Sequence, residues 1–329
     1  MGPEAAELAE RASWLLRLPL ETPTIPFHDE RTGCTLWLKL EYLLPSGCTK
    51  DRMATNIVAH AIESGDVRAS TVVVEASSGS TSIALGMVCA TVGVRFRAYM
   101  PKTVSGERVM MIRRLGGEVI LTSAEEGMDG AIAALVQDSA DEGDVYAVHQ
   151  FENPRNVLAH QQTTGPQLIE QVGLRLDAFV AGVGTGGTLM GVALALRDHG
   201  HATVIAEALP TAGLTPAGDR EVVGGIPGIV EGMSRLLDPE AVGLDEPVRV
   251  PEAEAMTTVA ATARRLGDSN LDVATAIGAF VAARKPFLAE LESIGKRRAL
   301  EAPAVMGLYA EAAALLDRLL LHFVATFQA

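Results

Sequence analysis

The sequence predicts an α/β protein in which a mostly parallel sheet is covered by helices on both faces. Three observations carry this. Short β-branched runs, such as Val72-Val73-Val74, alternate with longer helical stretches along the chain. The connections between them are short, as in parallel sheets built from strand-helix-strand units. Glycine- or hydroxyl-rich turns stand where strands pass into helices, at residues 77–82 and 182–188. At 329 residues the chain is too long for one small core, so two subdomains are expected.

Taken in order, residues 5–18 form a short amphipathic helix. Thr22-Pro23-Thr24-Ile25-Pro26 is extended, because each proline fixes its own φ and restricts the residue before it. Residues 35–40 are a strand, then come a Pro-Ser-Gly turn and a helix over 51–64. Residues 72–76 are a buried strand and 83–92 an apolar helix. Residues 94–100 are a strand closed by Pro101. Residues 105–115 are an amphipathic helix, with Arg113 and Arg114 near its C-terminal end, where cations suit the dipole. Strand 118–121, helix 127–139 and strand 145–148 follow. The second half repeats the habit with helix 164–172, strand 178–181, helix 189–199 and strand 203–207. Residues 210–232, rich in Gly and Pro, read as a long irregular connection. Residues 252–266, 276–284 and 301–327 read as helices, the last a Leu/Ala-rich tail with a packing role.

Composition narrows the function. The net charge of −14 argues against nucleic acid or an anionic membrane as the main partner, but leaves room for a small anion bound by backbone amides. Cys34, Cys48 and Cys89 are well separated, form no Cys-x-x-Cys pair, and read as reduced thiols of a cytoplasmic protein. No basic segment followed by an apolar run opens the chain, and no stretch is apolar for long enough to span a bilayer. No metal-ligand set is expected.

Three turns carry chemistry. Lys50 stands at the first turn of a helix, where the macrodipole disfavours positive charge. The same field helps keep an amine neutral, as a Schiff-base nucleophile must be. Taken alone, the segment favours a solvated lysine after a turn. Gly184-Thr185-Gly186-Gly187-Thr188 lies between a buried strand and an apolar helix, where amides and helix dipole receive a phosphate. No lysine follows it as in a Walker loop, and its spacing is not a dinucleotide fingerprint, so a single phosphate is expected. Ser77-Ser78-Gly79-Ser80-Thr81-Ser82 is a second such turn, suited to a carboxylate, though alone it reads as an ordinary Ser/Thr N-cap. It lacks the Gly-x-Ser-x-Gly of a serine hydrolase. Together the three supply what pyridoxal phosphate and an amino-acid substrate need: an amine, a phosphate cup and a carboxylate site.

The sequence resembles the fold-type II pyridoxal phosphate enzymes of the cysteine synthase and cystathionine β-synthase family, from about Thr22 to Gly278. The resemblance rests on Lys39-Leu40-Glu41 with Pro45 and Lys50-Asp51-Arg52, and on Glu75 to Thr81. His149-Gln150-Phe151-Glu152-Asn153-Pro154 with His160 and Thr163-Thr164-Gly165-Pro166 matches too, as do Gly184 to Thr188, Glu207 and Ile226-Pro227-Gly228-Ile229. It implies a tryptophan synthase β-like fold of two interleaved lobes. Residues 45–154 would form the smaller lobe, carrying the lysine helix and substrate loop. Residues 1–44 with 155–329 would form the larger, carrying the phosphate loop and helical tail.

The resemblance also implies roles. Lys50 would hold the cofactor aldehyde and shuttle the α-proton. Gly184, Thr185, Gly186, Gly187 and Thr188 would hold the phosphate, with Gly228 beside the cofactor. Ser77, Ser78, Gly79, Thr81 and Gln150 would bind the substrate carboxylate. Ser80 stands where the family has the Asn that bonds the cofactor 3′-oxygen, a change that pulls toward β-elimination. Leu44 replaces an Asn and Cys48 a Ser. In Ala274-Thr275-Ala276-Ile277-Gly278, which aligns with the family's contact to the pyridine nitrogen, only Thr275 has a donor side chain.

The implied activity is β-replacement on an activated L-serine, cysteine synthase-like, through an aminoacrylate intermediate. Alternatives are desulfhydrase-like elimination of cysteine, amine addition giving 2,3-diaminopropionate, and an inactive cofactor-binding homologue acting as a partner subunit. The implied partners are a small amino acid, a small nucleophile and a second copy in a homodimer.

Overall fold

The computed structural model describes residues 3–18, 20–29, 33–141, 143–173, 176–211, 234–245 and 247–251. Nearly all of them belong to one compact unit drawn from Met1–Pro210 and Val222–Arg249. A second unit, Thr211–Glu221 with Val250–Ala329, lies almost wholly outside them. The helices expected at 252–266, 276–284 and 301–327 lie outside the described residues.

Helix α1 (Pro3–Leu16) leads to strands β1 (Thr24–Asp29) and β2 (Cys34–Lys39). These two pair antiparallel, Thr24 opposite Lys39 and Asp29 opposite Cys34, as a hairpin separate from the main sheets. A 3-10 turn (Glu41–Leu43) precedes α2 (Lys50–Ser64), which opens on Lys50 itself, one residue before the expected start.

The first large sheet contains β3 (Val72–Ala76), β4 (Arg95–Pro101), β5 (Glu118–Thr122) and β6 (Val145–Ala147), in the order β5-β4-β3-β6. Every pairing in it is parallel, as expected. Helices α3 (Ser80–Val92), α4 (Gly106–Arg114) and α5 (Gly127–Asp141) connect its strands. The two-residue period of a strand divides its side chains between two cores. Val73, Phe96, Ala98 and Met100 pack with residues of α1, α2 and α3. Val72, Val74 and Tyr99 face the opposite way, onto Ala131 and Leu135 of α5. The Tyr99 hydroxyl satisfies itself on Asp138, 3.0 Å away. Each fully buried large side chain, Ile57 or Leu85 for example, contributes about 1.5–3 kcal/mol of burial.

Two helices follow, α6 (Pro154–Gln162) and α7 (Thr164–Val172). The first was not expected. Asn153 caps it by accepting from the Arg155 N–H at 3.0 Å, and Pro154 occupies its first turn, where no N–H is needed. The second sheet holds β7 (Ala178–Gly182), β8 (Val204–Thr211) and β9 (Val248–Pro251), with α8 (Gly187–Asp198) between β7 and β8 and a short α9 (Pro239–Val242). β7 and β8 are parallel. Its core joins Leu168, Val183, Leu189, Val192, Leu196 and Ile205. β8 continues to Thr211, into the start of the segment expected to be irregular. Helix α6 packs against α2 on one side and α8 on the other, so it ties the lysine helix to the glycine-turn helix. Among the described residues no helix is long and apolar enough to cross a membrane.

Candidate active site

In open parallel sheets, ligands bind beyond the carboxyl ends of the strands. Two of the expected turns lie there. Residues 77–79 follow β3 and lead into α3; residues 183–186 follow β7 and lead into α8. Gln150 follows β6, beside β3.

Lys50 is the first residue of α2. Burial holds its amine below the ordinary lysine range, opposed only by the neighbouring Cys48 thiol. No acid offsets that shift, and the amine is the better nucleophile for it. The start of α2 is clamped from below. Arg52, fully buried, donates through Nε and Nη2 to both carboxylate oxygens of Glu41, each at 2.7 Å. Nη2 also reaches Gln167 Oε1 at 3.0 Å, on α7. Lys39 Nζ donates to the Thr22 carbonyl at 2.6 Å and to the same Gln167 oxygen at 3.0 Å. Burial opposes ionisation of Glu41, but the bond and charge of Arg52 outweigh it and keep the carboxyl below its usual range. Asp51, buried beside Lys50, is pushed up to about 6 by its desolvation although Ser46 N–H donates to it at 2.7 Å.

The substrate turn is built differently from a Ser/Thr cap. Gly79 is the N-cap of α3 and has no side chain with which to cap. Ser77, two residues earlier, does that work: its Oγ accepts from the Gly79 and Ser82 amides, both at 3.2 Å, and lies 2.6 Å from Ser82 Oγ. Gly79 has φ +146°, a backbone state that favours glycine, and a Cβ there would overlap the side chain of Arg108. Arg108, on α4, lies across the turn and donates to the Ser78 carbonyl at 2.9 Å. Thr81 Oγ1 donates to Gln150 Oε1 at 2.6 Å. Ser80 opens α3, and the Cys48 Sγ rests 3.9 Å from its carbonyl, which joins this turn to the lysine turn. Burial raises the Cys48 thiol, so it is a packed small residue there.

In the glycine turn, Gly186 is the N-cap of α8, at φ +80°, again with no side-chain cap. The first-turn amides of α8 are therefore donors to an anion, apart from that of Gly187, which donates to Thr185 Oγ1 at 3.4 Å. Thr185 points inward: its Oγ1 accepts from Asn156 Nδ2 at 2.9 Å, and its carbonyl accepts from Ser234 Oγ at 2.6 Å. A Cβ on Gly187 would overlap Asn156. Thr188 Oγ1 lies 3.2 Å from His160 Nε2, and the other ring nitrogen is 2.8 Å from Thr164 Oγ1. Burial drives His160 down to about 3, so the ring is neutral. Gly184 lies in the same turn, beside buried Val183. Asn156 Nδ2 also donates to the Gln150 carbonyl at 2.9 Å, which links the glycine turn to the substrate turn.

The structure thus gathers Ser77, Ser78, Gly79, Ser80, Thr81 and Gln150 into one cluster, joins Lys50 to it through Cys48, and joins Thr185 to it through Asn156. Gly228 and Thr275 lie outside the described residues. Asn156, Arg108 and Ser234 were not anticipated. For Asn156 the Asn-Pro helix start was the available signal; for the other two there was none. Among the described residues no group of three or more His, Cys, Asp or Glu side chains is placed to hold a metal ion.

The model of the family described as pyridoxal-phosphate-dependent enzyme matches residues 16–292. The chain belongs to that family. It is 39% identical over 188 residues to cysteine synthase B of Escherichia coli (strain K12), covering 57% of this chain and 62% of that protein. The chain therefore spans about three fifths of the length of the curated relatives it matches. Cysteine synthase (OASS) from Entamoeba histolytica superposes with a TM-score of 0.66 at 31% identity, over 76% of this chain and 75% of that one. A hydrogen sulfide-producing enzyme from Fusobacterium nucleatum gives 0.67 at 28% identity, over 74% and 82%.

The residues present fit the family's cofactor. Lys50 offers a desolvated amine, the α8 start has a glycine N-cap with no side-chain cap, and Thr49 Oγ1 and Asp51 Oδ1 on either side of Lys50 are buried without a hydrogen-bond partner.

Proposed function

We propose that this protein catalyses β-replacement on an activated L-serine, with Lys50 as its catalytic base. The observation that carries the reading is the desolvated Lys50 amine at the head of α2, joined through Cys48 and Ser80 to a second turn that is rich in donors. Lys50 would hold the aldehyde of pyridoxal phosphate, and residues 184–188 its phosphate. When bound, the cofactor supplies an electron sink for the bond broken at Cα.

The chain's own groups do the rest. The α3 start orients the amino acid by its carboxylate, through amides of the turn at 77–81. Lys50 Nζ, whose hold on a proton burial weakens, takes the proton from Cα. Loss of the β-substituent then opens Cβ to a small nucleophile such as sulfide. Ser80 offers a shorter hydroxyl than asparagine at its position, and this favours elimination as the competing outcome. The smaller lobe would comprise residues 45–154, the larger residues 1–44 and 155–329, with the active form a cytoplasmic homodimer.

The test is the visible spectrum of the purified protein with cofactor, before and after O-acetyl-L-serine, beside Lys50→Ala. A Schiff-base band in the wild type, absent in the variant and shifted by O-acetyl-L-serine, is the expected result. Cysteine formed on adding sulfide separates replacement from elimination, which gives pyruvate and ammonia. A protein with no band at any cofactor concentration would sink the enzyme reading and favour the inactive partner subunit.

A further inference from the structure

Glu75 is the last but one residue of β3 and is wholly buried, and among the described residues it has no ion-pair partner. Its oxygens face four donors, one of them the His149 backbone N–H. Oε2 accepts from the Gln150 backbone N–H at 3.2 Å, and Oε1 from the Ala76 N–H at 3.1 Å. The Gln150 side-chain Nε2 lies 3.5 Å from Oε1 and donates to the Ala76 carbonyl at 3.1 Å. That carbonyl can only accept, so the Gln150 atom facing it must be the nitrogen. The Gln150 amide is therefore held with its nitrogen inward and its oxygen outward, where it receives the Thr81 hydroxyl at 2.6 Å.

We propose that Glu75 is a positioning residue of the substrate turn, acting through Gln150 to fix the hydroxyl and backbone of Thr81. The proposal rests on the reading that residues 77–81 receive the substrate carboxylate. A buried acid without a counter-ion is costly, and desolvation pushes Glu75 up to about 8. Packing alone would be served at least as well by an apolar residue in this strand. What an apolar residue lacks is an acceptor for the two inward donors of Gln150. Thr81 is the second residue of α3, so fixing it fixes the first-turn amides that the turn presents. The relay runs from the sheet interior to the mouth of the site in two steps, Glu75 to Gln150 and Gln150 to Thr81.

Above pH 8, where the ionised acid accepts from all four donors, Glu75→Gln sets an amide against them and loosens the lock without changing volume. In the cofactor-loaded protein we expect its KM for O-acetyl-L-serine to rise about tenfold or more, with kcat within about threefold. Gln150→Ala should raise KM similarly, and the double variant no further, because one relay is cut twice. A second readout needs no turnover: L-alanine should raise the thermal midpoint of the wild type and do so far less for Glu75→Gln. Equal stabilisation of both by L-alanine, or KM effects that multiply in the double variant, would overturn the relay alone. A wild type that no amino acid stabilises would remove the carboxylate reading and the relay with it. Should Glu75→Gln fail to fold, Thr81→Val cuts the far end of the relay, and wild-type affinity in that variant would overturn the proposal.

Discussion

The turn after β3 and the turn after β7 share a plan. Each follows a parallel strand, each has a glycine N-cap with no side chain of its own to cap with, and each opens a helix, of 13 residues in α3 and 12 in α8. They differ in what supports them. The first turn takes up two of its own amides through Ser77 and is held besides by Arg108 of α4 and by Gln150 after β6. The second takes up one of its own amides, Gly187 N–H on Thr185 Oγ1 at 3.4 Å, and Thr185 is held from outside by Asn156 of α6 and by Ser234. A turn pinned by distant residues suits a group that stays, such as a resident cofactor phosphate.

The sharpest way to break this comparison is Gly187→Ala. Its Cβ would overlap buried Asn156, so the anchor of the second turn must move. We expect a loss of about 3 kcal/mol in stability and failure to retain cofactor, read by thermal melts and by absorbance after dialysis. Asn156→Ala removes one donor that serves both turns, through Gln150 and Thr185. It should cost about 1–3 kcal/mol and weaken cofactor and amino-acid binding together; weakening of only one would show the turns to be independent. Gly79→Ala should spare cofactor retention but displace Arg108 and raise KM several-fold, and Arg108→Ala in the same chain should recover part of that loss. The smallest effect is expected from Ser78→Ala, within about 0.5 kcal/mol, because only the Ser78 carbonyl is engaged.

The two turns also differ in how the buried titratable group beside each responds to pH. His160, beside the second, has its pKa lowered from 6.5 to about 3. As pH falls from 6.5 towards 3 the unfolded chain takes up a proton that the folded one refuses, so stability falls. Glu75, beside the first, is raised from 4.5 to about 8. Between those values the folded chain holds a proton that the unfolded one has lost, so stability falls as pH rises. The two effects oppose each other between pH 4.5 and 6.5; between 6.5 and 8 only that of Glu75 remains, so thermal midpoints should fall there as pH rises, and Glu75→Gln should flatten that fall and steepen the acid rise.

Much of this was legible in the sequence. The period of Val72-Val73-Val74, the Gly-rich and Ser-rich turns and the position of Lys50 are local signals, and the structure places them as expected. Helix α6 carries a local signal as well, the Asn153-Pro154 start. Other features are not local at all. That Arg108 crosses Gly79, or that Ser234 holds Thr185, depends on contacts between residues some 30 and 50 positions apart. Glu75 reads in sequence as one more member of a buried strand. Its place opposite Gln150 follows only from the register of β3 on β6, Val74 against Ala147.

That register has a consequence for biosynthesis. A chain emerging from the ribosome completes β3, β4 and β5 well before residues 145–150 are made. Until they arrive, β3 is an open edge, and the acid at its end faces no partner but its own chain. The nascent domain can therefore collapse early, but its substrate pocket takes shape only when the last strand of the sheet docks.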